Sequence, residues 1–216
     1  MPLSPQQTAS IAAALSPVRL GTYLNATGFG AGATALDIYV WNALASGALF
    51  SSLHICEVVV RNAVSHALDL KYGTNWPWDS GFERTLNAWS RAELQRARGR
   101  IRLGSPGKVV AELKFAFWCK MFTAGQDQHI WNAFLHTVFP FTPYPLSVAG
   151  ARTQLYEDME ALRLIRNRIA HHESIINYPL AVCQSRVIRL INLRCEETQQ
   201  WHALWETLSA VLAARP

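Results

Sequence analysis

Charge is scarce in this chain of 216 residues: Asp, Glu, Lys and Arg make up 16% of it, against roughly 25% in an average soluble protein. So much uncharged surface is best covered by a second copy of the chain. Lysine is scarcer still, with 4 Lys beside 16 Arg and a net charge of +5. Arginine suits planar, bidentate contacts with phosphate rather than simple solubility, so RNA or DNA is an expected partner; a basic protein with no polyanion partner is the alternative. Carboxylates number only 15 and are scattered, which leaves no cluster suited to a two-metal nuclease. The four cysteines, Cys56, Cys119, Cys183 and Cys195, form no C-x-x-C pair and no zinc-finger spacing; they read as reduced core thiols. No cofactor or metal is expected.

Other signatures are missing as well. Gly104-Ser105-Pro106-Gly107-Lys108 lacks the first glycine and the final hydroxyl of a phosphate loop. His172-Glu173-Ser174-Ile175-Ile176 places Ile176 where a zinc-protease helix needs its second histidine. There is no Gly-x-Ser-x-Gly elbow, no run of alternating β-branched residues and no fixed-period repeat. The N-terminus shows no basic cluster followed by an apolar run, so the expected compartment is the cytoplasm. From Ile38 to Cys56 there are 19 residues without a formal charge, close to a membrane-spanning length. Asn42, Ser46, Ser51, Ser52 and His54 interrupt it and Glu57 and Arg61 follow directly, so a helix buried in a helical domain fits better and no membrane partner is expected.

What is present is 50% hydrophobic residues, enough for a core, arranged at helical spacings from end to end. Ser4-Pro5-Gln6-Gln7 is a capping box with a first-turn proline. It opens a helix that stops before Ser16-Pro17, and Pro17 to Leu24 makes another. Leu36, Val40, Leu44, Phe50, Leu53, Val60, Val64 and Leu68 keep a three-and-four rhythm, with a break expected near Ser46-Gly47. Further helices are expected over Phe82 to Ala97 (apolar side Leu86, Trp89, Leu94), Val109 to Thr123 and His129 to Phe139. Val148 to His172 reads as the longest, followed by Pro179 to Cys195 and Trp201 to Ala213. The expectation is one all-α domain over residues 1–216.

The chemically dense segment is Arg163 to Glu173, with three Arg, one Asn, two His and one Glu in 11 positions. Asn167 and His171 are four apart and share a helix face, and Arg166 can bend toward the same point. A histidine can take a proton from a ribose 2′-hydroxyl or give one to a leaving 5′-oxygen. An arginine can hold the charge that builds on phosphorus, and an asparagine can orient either group. Spacing alone is weak: 16 Arg and 7 His in 216 residues give Arg followed by His at such separations about 1.6 times by chance. Arg61-Asn62-x3-His66 repeats the form. It is either a structural network with Glu57 and Arg61 paired at i and i+4, or a second wall of the same cleft.

Tyr39-x-Trp41-Asn42, Glu57-x3-Arg61-Asn62, Tyr72-Gly73-x2-Trp76, Glu112-Leu113-Lys114-Phe115-Ala116-Phe117-Trp118 and Arg166-Asn167-Arg168-Ile169-Ala170-His171-His172-Glu173 resemble, in order, the signature blocks of Abi-like proteins. These are bacterial abortive-infection-type proteins of the HEPN superfamily. The resemblance covers residues 17–178 and is weaker over the helices of 179–213. It departs at Ala116 and at Ser174, where relatives have Gly and Pro. It implies a HEPN-type helical bundle with flanking helices, usually a homodimer. It also implies a metal-independent endoribonuclease with Arg166, Asn167 and His171 as catalytic residues and His172, Glu173, Glu57, Arg61 and Asn62 supporting the cleft. Phage defence by abortive infection, or action as a toxin restrained by an antitoxin protein or small RNA, follows from the same likeness. So does the alternative of a non-catalytic module that binds RNA or a partner protein. A third reading gives His171 and His172 only a helix-capping role. The basic run Arg91, Arg96, Arg98, Arg100 and Arg102 is expected to guide RNA toward the cleft, the alternative being a solvated helix end. Of the tryptophans, Trp76, Trp78, Trp118, Trp131, Trp201 and Trp205, most are expected in the core rather than stacked on bases.

Overall fold

The structure is a computed structural model and describes residues 3–26, 28–30, 34–99, 101, 103–143 and 146–216. Among these it is all-α, without a strand. The helices are α1 (Pro5–Leu15), α2 (Pro17–Leu24), α3 (Ala35–Tyr72), α4 (Ser80–Thr85), α5 (Ala88–Arg98), α6 (Pro106–Glu112), α7 (Phe115–Lys120), α8 (Asn132–Val138), α9 (Val148–Ala170), α10 (Leu180–Arg194), α11 (Glu196–Ala203) and α12 (Leu208–Ala213). The capping box at Ser4 forms as its residues require, the Ser4 hydroxyl accepting from the Gln7 N–H and the Gln7 carboxamide accepting from the Ser4 N–H.

Helix α3, 38 residues long, is the spine of the molecule and packs against α2, α7, α8, α9, α10 and α12. By length and composition alone it could cross a membrane; in the fold one side of it lines the core. Ile38, Trp41, Ala45, Leu49, Leu53, Cys56, Val60, Ala63, Val64, Ala67 and Leu68 are buried, one stripe at helical spacing. The break expected near Ser46-Gly47 is absent. A glycine inside a helix costs only about 1 kcal/mol, and Ala45, Ala48 and Leu49 on either side are buried, so packing carries the helix through. Val40, Leu44 and Phe50 lie on the other side and are exposed.

Several expected helices are split. Leu86 turns extended and the Asn87 side chain accepts from the Ser90 N–H at 2.9 Å, so a new helix starts there. Trp89 is consequently exposed, with the Lys120 ammonium 5.5 Å from its ring centre. Leu113 and Lys114 are extended between α6 and α7, which delivers Phe115, Phe117 and Trp118 into the core. A π-turn over Asp127–Trp131 precedes α8, and residues 204–207 separate α11 from α12. The longest helix is α3, and α9 ends two residues earlier than expected, at Ala170. Its apolar face is as read from the spacing: Leu155, Met159, Leu162, Ile165 and Ile169 are all buried. Trp76, Trp118 and Trp131 are fully buried while Trp201 is exposed. Cys56, Cys119 and Cys183 are buried free thiols and Cys195 is partly exposed.

Candidate nucleic-acid site at the end of α9

Of the three arginines in the dense segment, two have structural jobs. Arg163 donates from Nε and Nη2 to Glu160 one turn back, at 3.1 and 2.9 Å. Arg168 donates from Nε and Nη2 to the Ser174 carbonyl, at 3.1 and 2.9 Å, pairs with Glu173 at 2.9 Å and lies over the Tyr178 ring. It thereby folds the chain after α9 back on the helix. Arg166 is different. Its nearest carboxylate is Glu57 of α3, at 3.9 Å, which is too long for a hydrogen bond.

Arg166 reaches the bottom of a recess of about 140 Å³ whose walls include His54, Glu57 and Arg61 of α3. Two guanidiniums thus share a small space with one carboxylate. The Nε atoms of both Arg61 and Arg166 are shut from solvent without a hydrogen-bond partner. Among the described residues they are the only arginine nitrogens in that condition. Leaving a charged donor unmade costs more than an average hydrogen bond contributes, so the recess is electrostatically incomplete and cationic. The expected pairing of Glu57 with Arg61 along α3 does not occur within 4 Å; Glu57 turns to Arg166 instead. Asn62 is exposed and outside this recess. His66 lies elsewhere, its Nδ1 at 3.4 Å from Arg194.

His171 is the residue at which α9 ends, with φ −94° and ψ 11°. The end is closed by backbone alone: the Glu173 N–H donates to the Arg168 carbonyl at 2.8 Å and the His172 N–H to the Ile169 carbonyl at 3.0 Å. This is a Schellman closure. It requires a left-handed residue at position 172, a place usually filled by glycine, and His172 occupies it with φ +54°. Neither imidazole makes a hydrogen bond among the described residues, so neither ring is needed to cap the helix. His171 and His172 are both exposed. Asn167 is half-buried on the face it shares with His171. His171 is not among the residues that line the recess of Arg166.

His172 and Glu173 border a second recess of about 370 Å³ on the other side of Phe50, which lines both. Asn42, one of the recurring positions on α3, has a structural task there: its carboxamide oxygen accepts from the Ile175 N–H at 2.8 Å. Trp41 donates from Nε1 to the Val211 carbonyl at 2.8 Å. These two bonds hold the chain after α9 and the C-terminal helix against the spine. His54 and Phe50 were missed in the sequence reading. Both fall on the face of Glu57 and Arg61 at steps of three and four, so the projection that paired Asn167 with His171 would have found them.

The basic run on α5 is largely engaged. Arg98 donates from Nη2 to Glu83 at 2.6 Å and from Nη1 to the Pro77 carbonyl at 3.0 Å. Arg96 pairs with the buried Glu93, and Arg91 donates to the carbonyls of Glu83 and Leu86. Arg100 and Arg102 lie outside the described residues. Arg96 and Arg98 therefore have internal partners where RNA contact was expected. Among the described residues no three His, Cys, Asp or Glu side chains converge as a set of metal ligands.

No protein-family model matches the chain, and no curated protein or solved structure is significantly similar to it.

Proposed function

We propose that the chain is a metal-independent endoribonuclease of the HEPN type, acting in abortive infection or as a toxin, with Arg166, Asn167 and His171 as its catalytic residues. The observation that carries this reading is the pair Arg61 and Arg166, two guanidiniums with buried, unpartnered Nε atoms around one carboxylate. Such a recess suits the non-bridging oxygens of a phosphodiester, which would accept from the guanidinium nitrogens that face solvent and offset the excess positive charge. His171 stands less than two helical turns away in sequence, exposed and free of hydrogen bonds among the described residues.

Because His171 does not line the recess that holds Arg166, the reading pairs two copies, each presenting its helix end to the other. The exposed Val40 and Leu44 on α3 and Leu164 on α9 supply apolar surface for such a pair. In that arrangement one His171 takes the proton of the 2′-hydroxyl as its oxygen attacks phosphorus. The second gives a proton to the departing 5′-oxygen, leaving a 2′,3′-cyclic phosphate and a 5′-hydroxyl. Arg166 and Arg61 hold the charge that develops on the phosphoryl oxygens, and Asn167 orients the imidazole or the phosphate.

The same separation of Arg166 from His171 favours a second reading, a non-catalytic module that binds RNA in the cationic recess without cutting it. Incubation of the chain with total RNA in excess chelator, beside His171→Ala, decides between them. The nuclease predicts fragments with cyclic phosphate and 5′-hydroxyl ends, a bell-shaped pH profile and a silent variant. Saturable binding with no fragments at any pH selects the module.

A further inference from the structure

The recess of about 370 Å³ next to the cationic one has features that the proposed phosphate chemistry does not use. Its walls are Tyr23 of α2 and Tyr39 of α3, packed edge to face at 5.1 Å, and on the opposite side Phe50. Phe50 is 40% exposed, an aromatic ring left standing between two recesses. His172 lines it from a left-handed backbone position that only a tight turn forces on the chain. Strain of that kind, held at a non-glycine residue, collects at ligand sites. Arg19 donates from Nη1 to the His172 carbonyl at 3.1 Å and so fixes the turn against α2.

Gly47, from the stretch of α3 between Asn42 and Phe50, also lines the recess. A Cβ built on Gly47 would meet nothing within 4 Å, so no neighbour in the fold explains a residue that weakens the helix. What the glycine provides is depth in the recess. A mostly apolar, aromatic-walled cavity of this size with a few polar groups at its rim has the makings of a small-ligand site. Its position, one phenylalanine away from Arg61 and Arg166, matches the way a base sits beside its own phosphate.

We propose that this recess receives a single unstacked purine of the bound RNA, stacked on Phe50 and against Tyr39, which Tyr23 backs from the core, with His172 and Asn42 at its polar edge. Asn42 has its carboxamide oxygen committed to Ile175, so its NH2 group is the donor it offers. The proposal rests on the reading of the neighbouring recess as an RNA phosphate site. It predicts that the protein selects RNA by one base next to the phosphate it holds, through a pocket contributed by α2, α3 and the turn after α9.

The test uses an end-labelled 2′-O-methyl oligoadenylate hexamer, which cannot be cut by 2′-hydroxyl attack, and the set of hexamers in which each base in turn is removed. Binding is read by fluorescence anisotropy on the full chain. Wild type is expected to lose about 10-fold in affinity, the scale of one stacked base, at one abasic position and little at the others. Gly47→Leu fills the recess and should bind the intact hexamer about 10-fold more weakly while losing the abasic effect, with an unchanged melting temperature. Gly47→Ala checks that the helix tolerates a side chain there. Equal losses at every abasic position, or wild-type affinity in Gly47→Leu, overturn the proposal. So does a Gly47→Leu chain whose solution mass falls to that of one copy, which would make the recess a face between subunits. If wild type shows the single-base effect but never cuts the 2′-hydroxyl hexamer, the base recess stands and the nuclease falls. If the 2′-hydroxyl hexamer is cut at the same site and rate by Gly47→Leu, the nuclease stands and the base recess falls.

Discussion

The two halves of α9 treat arginine in opposite ways. Toward its start, Arg152 donates from Nε to Asp127 at 3.0 Å and from Nη1 to the Phe122 carbonyl. In its middle the buried Asp158 accepts from Nε and Nη2 of Arg189 at 2.7 and 2.6 Å, with Arg186 at 3.3 Å. These clamps tie α9 to the π-turn and to α10, and each guanidinium has a carboxylate oxygen within 3.3 Å. Toward its end, Arg166 stands 3.9 Å from its carboxylate beside a second guanidinium, and two nitrogens have no partner. The same chain that satisfies its structural arginines leaves this pair open. That difference, more than the number of charges, separates residues that hold the fold from residues that wait for a ligand.

The comparison can be broken at either end. The largest effect is expected from His171→Ala: a loss of cleavage of about 10³-fold, the scale of one acid–base group, with the melting temperature unchanged because the ring makes no bond in the fold. A fall in melting temperature comparable to that of a clamp variant would place His171 among the structural residues. Next comes Asp158→Ala, which strands Arg189 and Arg186. Both arginines reach solvent, so the cost should be about 2–3 kcal/mol, below the 3–5 of a fully buried pair, and visible as a drop of about 5–10 °C on thermal melting. RNA affinity should stay as in wild type.

Glu57→Gln sharpens the contrast, since it removes the one negative charge from the cationic recess. RNA affinity should rise about fivefold, the equivalent of about 1 kcal/mol for a half-exposed charge, and fall more steeply with salt. An unchanged affinity would mean that phosphate does not approach Arg166. The smallest effect concerns pH. His202 is fully buried, bonded through Nε2 to Ser52 at 2.9 Å, and burial holds its imidazole below the usual range, opposed by the nearby Glu206. The unfolded chain therefore takes up a proton near pH 6.5 that the fold refuses. Stability is full above that pH and falls as pH drops toward the depressed folded value.

Glu93, held low chiefly by its bond from Arg96, stabilises the fold above the ordinary carboxylate range and stops doing so only as pH falls below it. Acid melting should thus begin with a shallow loss below pH 6.5 and continue with a second loss below about pH 4.5. A flat melting temperature between pH 7 and 5 would contradict the assignment of His202 as a neutral buried ring.

Much of this arrangement was legible beforehand. The apolar rhythm of α9 named its buried face correctly, because Leu155, Met159, Leu162, Ile165 and Ile169 all join the hydrophobic core; the buried Asp158 beside them was not readable, since its partners Arg186 and Arg189 come from α10. Boundaries were harder to read. Asn87 restarts a helix by accepting from Ser90, and its effect depends on Leu86 turning inward, which the local pattern does not encode. At the site, the sequence brought Arg166, Asn167 and His171 together on spacing. The spacing of Glu160 and Arg163 suggests their pair, but the sequence could not show that Arg168 is already bonded, or that the carboxylate nearest Arg166 is on α3, because those facts depend on Glu57, Ser174 and Glu173 arriving from outside the helix. In the basic run the partner of Arg96 was readable, since Glu93 stands three residues back on α5, whereas Glu83 of α4 reaches Arg98 only because the chain turns at Leu86.

The central claim is that Arg166 is left open for RNA phosphate and is not part of the scaffold. The most direct measurement is the rate at which Arg166→Ala cleaves single-stranded RNA in excess chelator, with its melting temperature taken on the same preparation. The account predicts at least a 100-fold loss of rate, on the scale of one lost transition-state donor, with melting within about 2 °C of wild type. Cleavage at the wild-type rate, or a protein that melts 5 °C or more lower, as a clamp variant of this size does, would contradict it.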